Sequence, residues 1–167
     1  MKKKLFLFII VLGALLISAC EKDDICVDGD TPLLILRFYD AQDTENFKSV
    51  TTLRIIGDGQ ANPVNTFSDR STTDSVAIPL RADQSSTQFL LILNSADEND
   101  LETGNIDTLS FSYNVEEVFV SRACGFVANF NDLEPQLTAG TENWIQAVEV
   151  IDTTVTNQFS AHVKIFH

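Results

Sequence analysis

The residues that could do chemistry are few and widely spaced. Histidine is the side chain suited to general acid–base work near neutral pH and to zinc ligation, and the chain has two, His162 and His167. Nucleophilic hydrolysis needs a base within reach of its nucleophile, and no Gly-x-Ser-x-Gly elbow occurs. His162, between Ala161 and Val163, is expected to face away from the apolar side of a strand, and both histidines read as surface residues; no catalytic residue is assigned. Zinc needs three or four His, Cys or carboxylate ligands at fixed spacing, a pattern absent here. Calcium asks only for converging oxygens. Asp28 and Asp30 of "DGD", and Asp97, Glu98, Asn99, Asp100 and Glu102 of "DENDLE", meet that demand loosely. Neither stretch matches an EF-hand loop. Solvated loop acids are the simpler reading, and a calcium ion, if one binds, is expected at Asp97 to Glu102. Glycoside hydrolysis needs two facing carboxylates, but among 24 Asp and Glu some pair always suits, so none is singled out. Trp144 and Tyr113 have the faces to stack on a sugar, though lone aromatics in β proteins more often belong to the core.

The elements that must hold these residues are strands. From Leu33 onward apolar residues recur with a period of two far more than of 3.6. "LLILRFYD" (33–40) and "VTTLRII" (50–56) read as strands, the second ending on the turn signal Gly57-Asp58-Gly59. "VNTFS" (64–68) is a weaker candidate. "SVAIPLR" (75–81) alternates well, but Pro79 lacks an N–H and belongs on an edge. "TQFLLILN" (87–94), apolar on both faces, reads as a central strand, and 95–105 as a polar loop. In "DTLSFSYN" (107–114) Leu109, Phe111 and Tyr113 point inward and Thr108, Ser110 and Ser112 outward. "EVFVSRACGFVANF" (117–130) is one long strand or two bent at Gly125, followed by a short turn near Asn131 to Leu137. "WIQAVEVID" (144–152) and "QFSAHVKIF" (158–166) are expected to pair as a hairpin. About eight strands in one domain imply an all-β fold, an antiparallel β-sandwich burying Phe89, Leu91, Leu93, Phe111 and Trp144 together, with a small β-barrel as the alternative.

The head of the chain speaks of export. Lys2 to Lys4 form a basic segment, and Leu5 to Ile17 is an apolar run too short for a spanning helix of ~20 residues but right for a secretory signal. Three of the 11 Lys and Arg are Lys2 to Lys4, so the chain after residue 19 holds 8 basic against 24 acidic groups, a formal net charge of −16. Such a surface repels phosphate backbones, and nucleic acid is excluded as a partner. Cys26 and Cys124, in an exported protein, are either a disulfide closing nearly the whole domain or two separate buried thiols. No Cys-x-x-Cys supports a redox site.

Ile17-Ser18-Ala19-Cys20 resembles the bacterial lipobox. The resemblance implies cleavage before Cys20, diacylglycerol on its sulfur and acylation of the new amino group, and two or more acyl chains hold firmly at ~0.8 kcal/mol per buried CH₂. Cys20-Glu21-Lys22-Asp23-Asp24 resembles the surface-export signal of Bacteroidota lipoproteins, which implies display outside the cell; a periplasmic orientation is the alternative. The segments "CVDGDTPLLILRFYD" (26–40), "FSYNVEEVFVSRACGF" (111–126) and "AHVKIFH" (161–167) resemble an uncharacterised Bacteroidota lipoprotein family, a domain of unknown function, which implies no activity or substrate. Cys26 and Cys124 both lie in these segments, in keeping with their pairing. Asp74-Ser75-Val76, Asp107-Thr108-Leu109 and Asp152-Thr153-Thr154 resemble the Bacteroidota O-glycosylation pattern, which makes Ser75, Thr108 and Thr153 candidate acceptors.

The expectation is therefore a signal peptide (1–19), a lipidated N-terminus and tether (20–30) and one β-sandwich (31–167). Its expected role is that of a non-enzymatic binding or structural module on the outer membrane, without a cofactor beyond the covalent lipid. The expected partner is an envelope protein complex or an extracellular glycan. The alternative is an envelope enzyme or glycan-processing accessory protein.

Overall fold

A computed structural model describes residues 25–26 and 29–167. The signal segment, Cys20 and Asp28 lie outside the described residues. Eleven strands follow one another: β1 Leu34–Tyr39, β2 Val50–Gly57, β3 Ser71–Thr73, β4 Ser75–Ile78, β5 Ser86–Leu93, β6 Asp97–Glu98, β7 Leu101–Glu102, β8 Asn105–Ser121, β9 Gly125–Leu137, β10 Ala147–Val150 and β11 Val163–Phe166. The fold is all-β, with no helix among the described residues.

Two sheets face one another, ordered β10-β11-β1-β4 and β3-β2-β5-β8-β9, with β6-β7 a separate small hairpin. Strict alternation in β1 and β8 sends Leu34, Leu36, Phe38, Leu109 and Phe111 into the space between them, all with no exposed surface. There they meet Ile55, Phe89, Leu91, Phe130 and Ile165. On one side the chain passes from β3 to β4 at Asp74, so the sheets are joined at a corner. On the other, Phe130 and Val155 form a bridge between β9 and the segment leading to β11. The result is a sandwich curled toward a half-barrel.

Several details depart from the sequence reading. β1 and β11 pair in parallel, Leu36 opposite Val163, inside a sheet expected to be antiparallel throughout. Almost the whole chain lies between them, long enough for any crossover a parallel pair needs, and alternation carries no information about direction. Residues 64–68 are not a strand: Val64 N–H donates to Ile55 at 2.9 Å as part of a loop. The expected turn at Asn131 to Leu137 belongs to β9, an edge strand where Pro135 costs no ladder bond. Asp132 takes a left-handed conformation there (φ 56°), marking the bulge that shifts the register between Asn114 and Ser112. Pro79 follows β4, which is an edge as expected, and β5 is central.

One end of the sandwich gathers the features of interest. β5 begins opposite Ser112, yet β8 runs on to Ser121. Beyond Asn114 it has only β9 beside it, and the two form a ribbon overhanging that end. β2 ends there at Gly57, β4 ends there at Ile78, and β1 begins there at Leu34.

Candidate functional site

Cys26 and Cys124 form a disulfide, Cα atoms 4.9 Å apart, across 98 positions. Cys124 lies in the ribbon turn, where its N–H donates to Ser121 Oγ at 3.1 Å. Gly29 packs so closely that an added Cβ would stand 2.8 Å from Cys124 Sγ and closer still to Cys26 Sγ. The glycine of "DGD" is thus fitted to the bridge. Further in, the Ala128 N–H donates to Thr31 Oγ1 at 3.2 Å. The N-terminal segment is strapped along the ribbon from its tip to its base.

At the same end a cleft of about 570 Å³ opens between the β2–β3 connection and the start of β5. Its lining is rich in side-chain amides: Gln60, Asn62, Asn65, Gln84 and Gln88, with Asp58 the one acid. Arg81 also lines it, but its guanidinium is held by Asp83 in two bonds of 3.0 and 2.8 Å. The floor is fixed by Tyr113. Its hydroxyl donates to the Arg81 carbonyl at 2.8 Å, accepts from the Arg81 N–H at 3.0 Å and bonds Thr87 Oγ1 at 2.5 Å. Burial pushes the Tyr113 pKa up, so the phenol keeps its proton. The hydroxyl of Thr87 is spent on Tyr113 and Arg81. What remains free to meet a ligand is an array of amides. Gln88 Oε1 accepts from Ser110 Oγ at 3.3 Å, which leaves its NH₂ for a ligand; the remaining amides each offer an acceptor and two donors. That array suits an uncharged, hydroxyl-rich molecule.

The stretch singled out for calcium has other work. Asn99 and Asp100 both take left-handed conformations (φ 53° and 63°), as a type I′ turn between β6 and β7 requires. Glu102 accepts from Ser95 Oγ at 2.8 Å, Gly104 N–H at 3.0 Å and Ala96 N–H at 3.1 Å. Arg54 and Arg70 each lie 3.4 Å from Glu102 Oε2, the oxygen that Ser95 also bonds, and Arg70 bonds Asp97 at 2.5 Å. Arg70 holds the Asp97 carboxyl below its usual range; burial pushes that of Glu102 up, but bonds from Gly104, Ser95, Ala96 and Arg70 together outweigh it and leave it lowered. Glu98 and Asp100 point to solvent. Among the described residues no group of three or more His, Cys, Asp or Glu is placed to hold a metal ion. The sequence reading missed the two arginines because their carboxylate partners in this stretch, Asp97 and Glu102, lie 27 to 48 positions away.

The histidines are not surface residues. His162 is 1 % exposed, its Nδ1 accepting the Ile35 N–H at 3.1 Å while its own N–H and carbonyl join β1 to the β10 end. His167 packs edge-on against Phe38 and Trp144, with Nε2 3.1 Å from the Lys48 carbonyl. Burial lowers both pKa values, so both are neutral at pH 7. Trp144 is also buried, its indole N–H donating to the Leu91 carbonyl at 3.2 Å, which removes it as a sugar-stacking platform.

Of the candidate glycan acceptors, Thr153 is exposed on a loop, whereas Ser75 and Thr108 are half-buried within strands. Asp107, beside Thr108, faces the core and accepts the Ile145 N–H at 2.7 Å; burial raises its pKa.

Among comparisons with known proteins, a model described as a family of unknown function, DUF6452, matches residues 52–167. The match takes in the segments 111–126 and 161–167 but not 26–40. No curated protein and no solved structure matches.

Proposed function

The chain belongs to the DUF6452 family of unknown function, and from that footing we propose that it is a lipoprotein of the Bacteroidota outer membrane, anchored through Cys20, facing the cell exterior and serving as a binding module. The observation that carries this reading is the Cys26–Cys124 bridge. A disulfide persists in an oxidising compartment, and this one fastens the domain six positions after the lipobox cysteine. A force or ligand acting on the domain is then felt at the anchor with little slack. The amide-lined cleft is the ligand site, and the ligand class it suits is a neutral glycan. The net charge of −16 after residue 19 keeps the domain soluble and away from anionic polymers. Thr153 is the acceptor at which an O-glycan meets least crowding.

Two experiments test the reading. Protease applied to intact cells is expected to remove the protein while leaving a periplasmic control whole; protection would refute display outside the cell. Calorimetric titration with neutral oligosaccharides is expected to show binding that Gln88→Ala weakens. Binding that is indifferent to Gln88→Ala would refute the cleft as the site, and no binding across a broad neutral panel would refute the ligand class.

A further inference from the structure

The ribbon that overhangs the sandwich carries the core face beyond the core. On that face of β8 and β9 the pairs run Val115 with Phe130, Glu117 with Ala128, then Phe119 with Phe126. Phe130 and Ala128 are buried, but Phe119 and Phe126 are 57 % and 66 % exposed, their rings edge to face at 5.3 Å. Val120 and Ile25 are exposed beside them, so four of the nine large exposed apolar side chains among the described residues cluster at this tip. The chain is strongly acidic, yet no acid lies between Val118 and Asn131, and the turn itself offers Arg122. An aromatic pair with a basic residue at its margin, on a twisted ribbon of about 20 Å, is a surface made for an apolar–polar boundary.

The tether says which boundary. Cys26 is covalently fixed to the tip, and the six residues from Cys20 span at most about 20 Å when fully extended. We infer that Phe119, Phe126, Val120 and Ile25 rest in the interface of the same bilayer that holds the acyl chains, so that the protein stands on the membrane on a disulfide-locked foot. The inference rests on the anchoring proposed above. The ribbon then holds the body, with its cleft, off the lipid surface. Insertion adds to the acyl chains a second point of attachment that fixes orientation.

The test uses the full-length acylated protein purified from membranes. The protein is labelled with palmitate during growth and reconstituted into phosphatidylcholine–phosphatidylethanolamine vesicles whose acyl chains are brominated near the headgroup. Phe119→Trp places an indole at the tip; Leu101→Trp places one on β7 at the opposite end, where Leu101 is 69 % exposed. Trp144 is common to both and is subtracted using the unsubstituted chain. The emission added by Phe119→Trp is expected to fall at least about twofold on bromination, as for a side chain buried at the acyl boundary, and that added by Leu101→Trp to stay unchanged. Palmitate label without quenching of Phe119→Trp overturns the foot and leaves the anchor standing. Shielding of Phe119→Trp from iodide without bromine quenching also overturns it, in favour of a protein partner or a second copy. Equal quenching at both ends overturns the orientation, and absence of label overturns the anchor and the foot together.

Discussion

Opening the Cys26–Cys124 bridge should cost the domain stability without remodelling it. The bonded residues are 98 positions apart, and a cross-link over so long a loop removes roughly 16 cal/mol/K of unfolded-chain entropy, about 4.7 kcal/mol at 25 °C. In the folded state the strapped segment gives up little, since its described bonds are two long ones: Ala128 N–H to Thr31 Oγ1 at 3.2 Å and Leu33 N–H to Gln158 Oε1 at 3.4 Å. A domain of roughly 140 residues unfolds with an entropy near ~0.29 kcal/mol/K, so the loss corresponds to a fall in Tm of up to about 16 °C. The assay is thermal unfolding by circular dichroism of Cys26→Ser, Cys124→Ser and the double variant, with the unsubstituted protein under oxidising and reducing conditions. All three variants should melt together, close to the reduced protein, and their native spectra should agree. If the double variant loses the sum of the two single losses, the cysteines act separately and the reasoning fails. A common fall of less than about 4 °C would show that the unfolded chain is not what the bridge restrains.

Acidification provides a second test. A buried histidine with a lowered folded pKa contributes stability that is complete above its unfolded value, about 6.5, and is lost as pH falls below it; His162 and His167 both behave so, with Asp152 opposing the effect at His162. Tm should therefore drop as pH falls below about 6.5, and His162→Asn, which keeps an acceptor for Ile35 N–H, should flatten that slope; an unchanged slope would clear His162. Asp107 works in the opposite sense, because its raised pKa means that its ionised form burdens the fold as pH rises past its unfolded value. Asp107→Asn should be neutral or stabilising at pH 7, while Asp107→Ala should cost about 1–3 kcal/mol by orphaning the Ile145 N–H, as read by urea unfolding. In the arginine cluster, Glu102→Ala should cost about 2–3 kcal/mol, because Arg54 is only 19 % exposed and its Nε, 3.7 Å from Asp69, has no hydrogen bond. Asp97→Asn, half-exposed, should leave the urea midpoint nearly unchanged.

The strands were legible wherever one face was buried. Leu109, Phe111 and Tyr113 alternate with Thr108, Ser110 and Ser112 because β8 has water on one side and the core on the other, and the structure places the two sets as the pattern implies. β3, β6 and β7 were not legible, since Ser71–Thr73 and Asp97–Glu102 have little apolar face to alternate. The left-handed pair Asn99-Asp100 was a readable turn signal that its acidic neighbours obscured. His162 was misjudged because its small neighbours gave no sign that the β10–β11 connection would fold over it, and only the Ile35 N–H, 127 positions away, shows why an imidazole is there. Arg54 and Arg70 belong to the same class: a charge is neutralised by tertiary neighbours that periodicity does not see. The cleft was invisible for a like reason, as its amides come from the β2–β3 connection, the 79–84 turn and β5, which only the paired sheets bring together. The exposure of Phe119 and Phe126 was not legible either, because the pair shares the parity of Val115 and Phe130.

The claim on which the rest leans is that acyl chains on a single sulfur tie this domain to a bilayer. Growth with radiolabelled palmitate, followed by recovery of the protein and of its Cys20→Ser variant, addresses it directly. The account predicts label on the first, none on the second, and release of the variant from the membrane fraction. An unlabelled parent protein, or a variant that still sediments with the membrane, would contradict it.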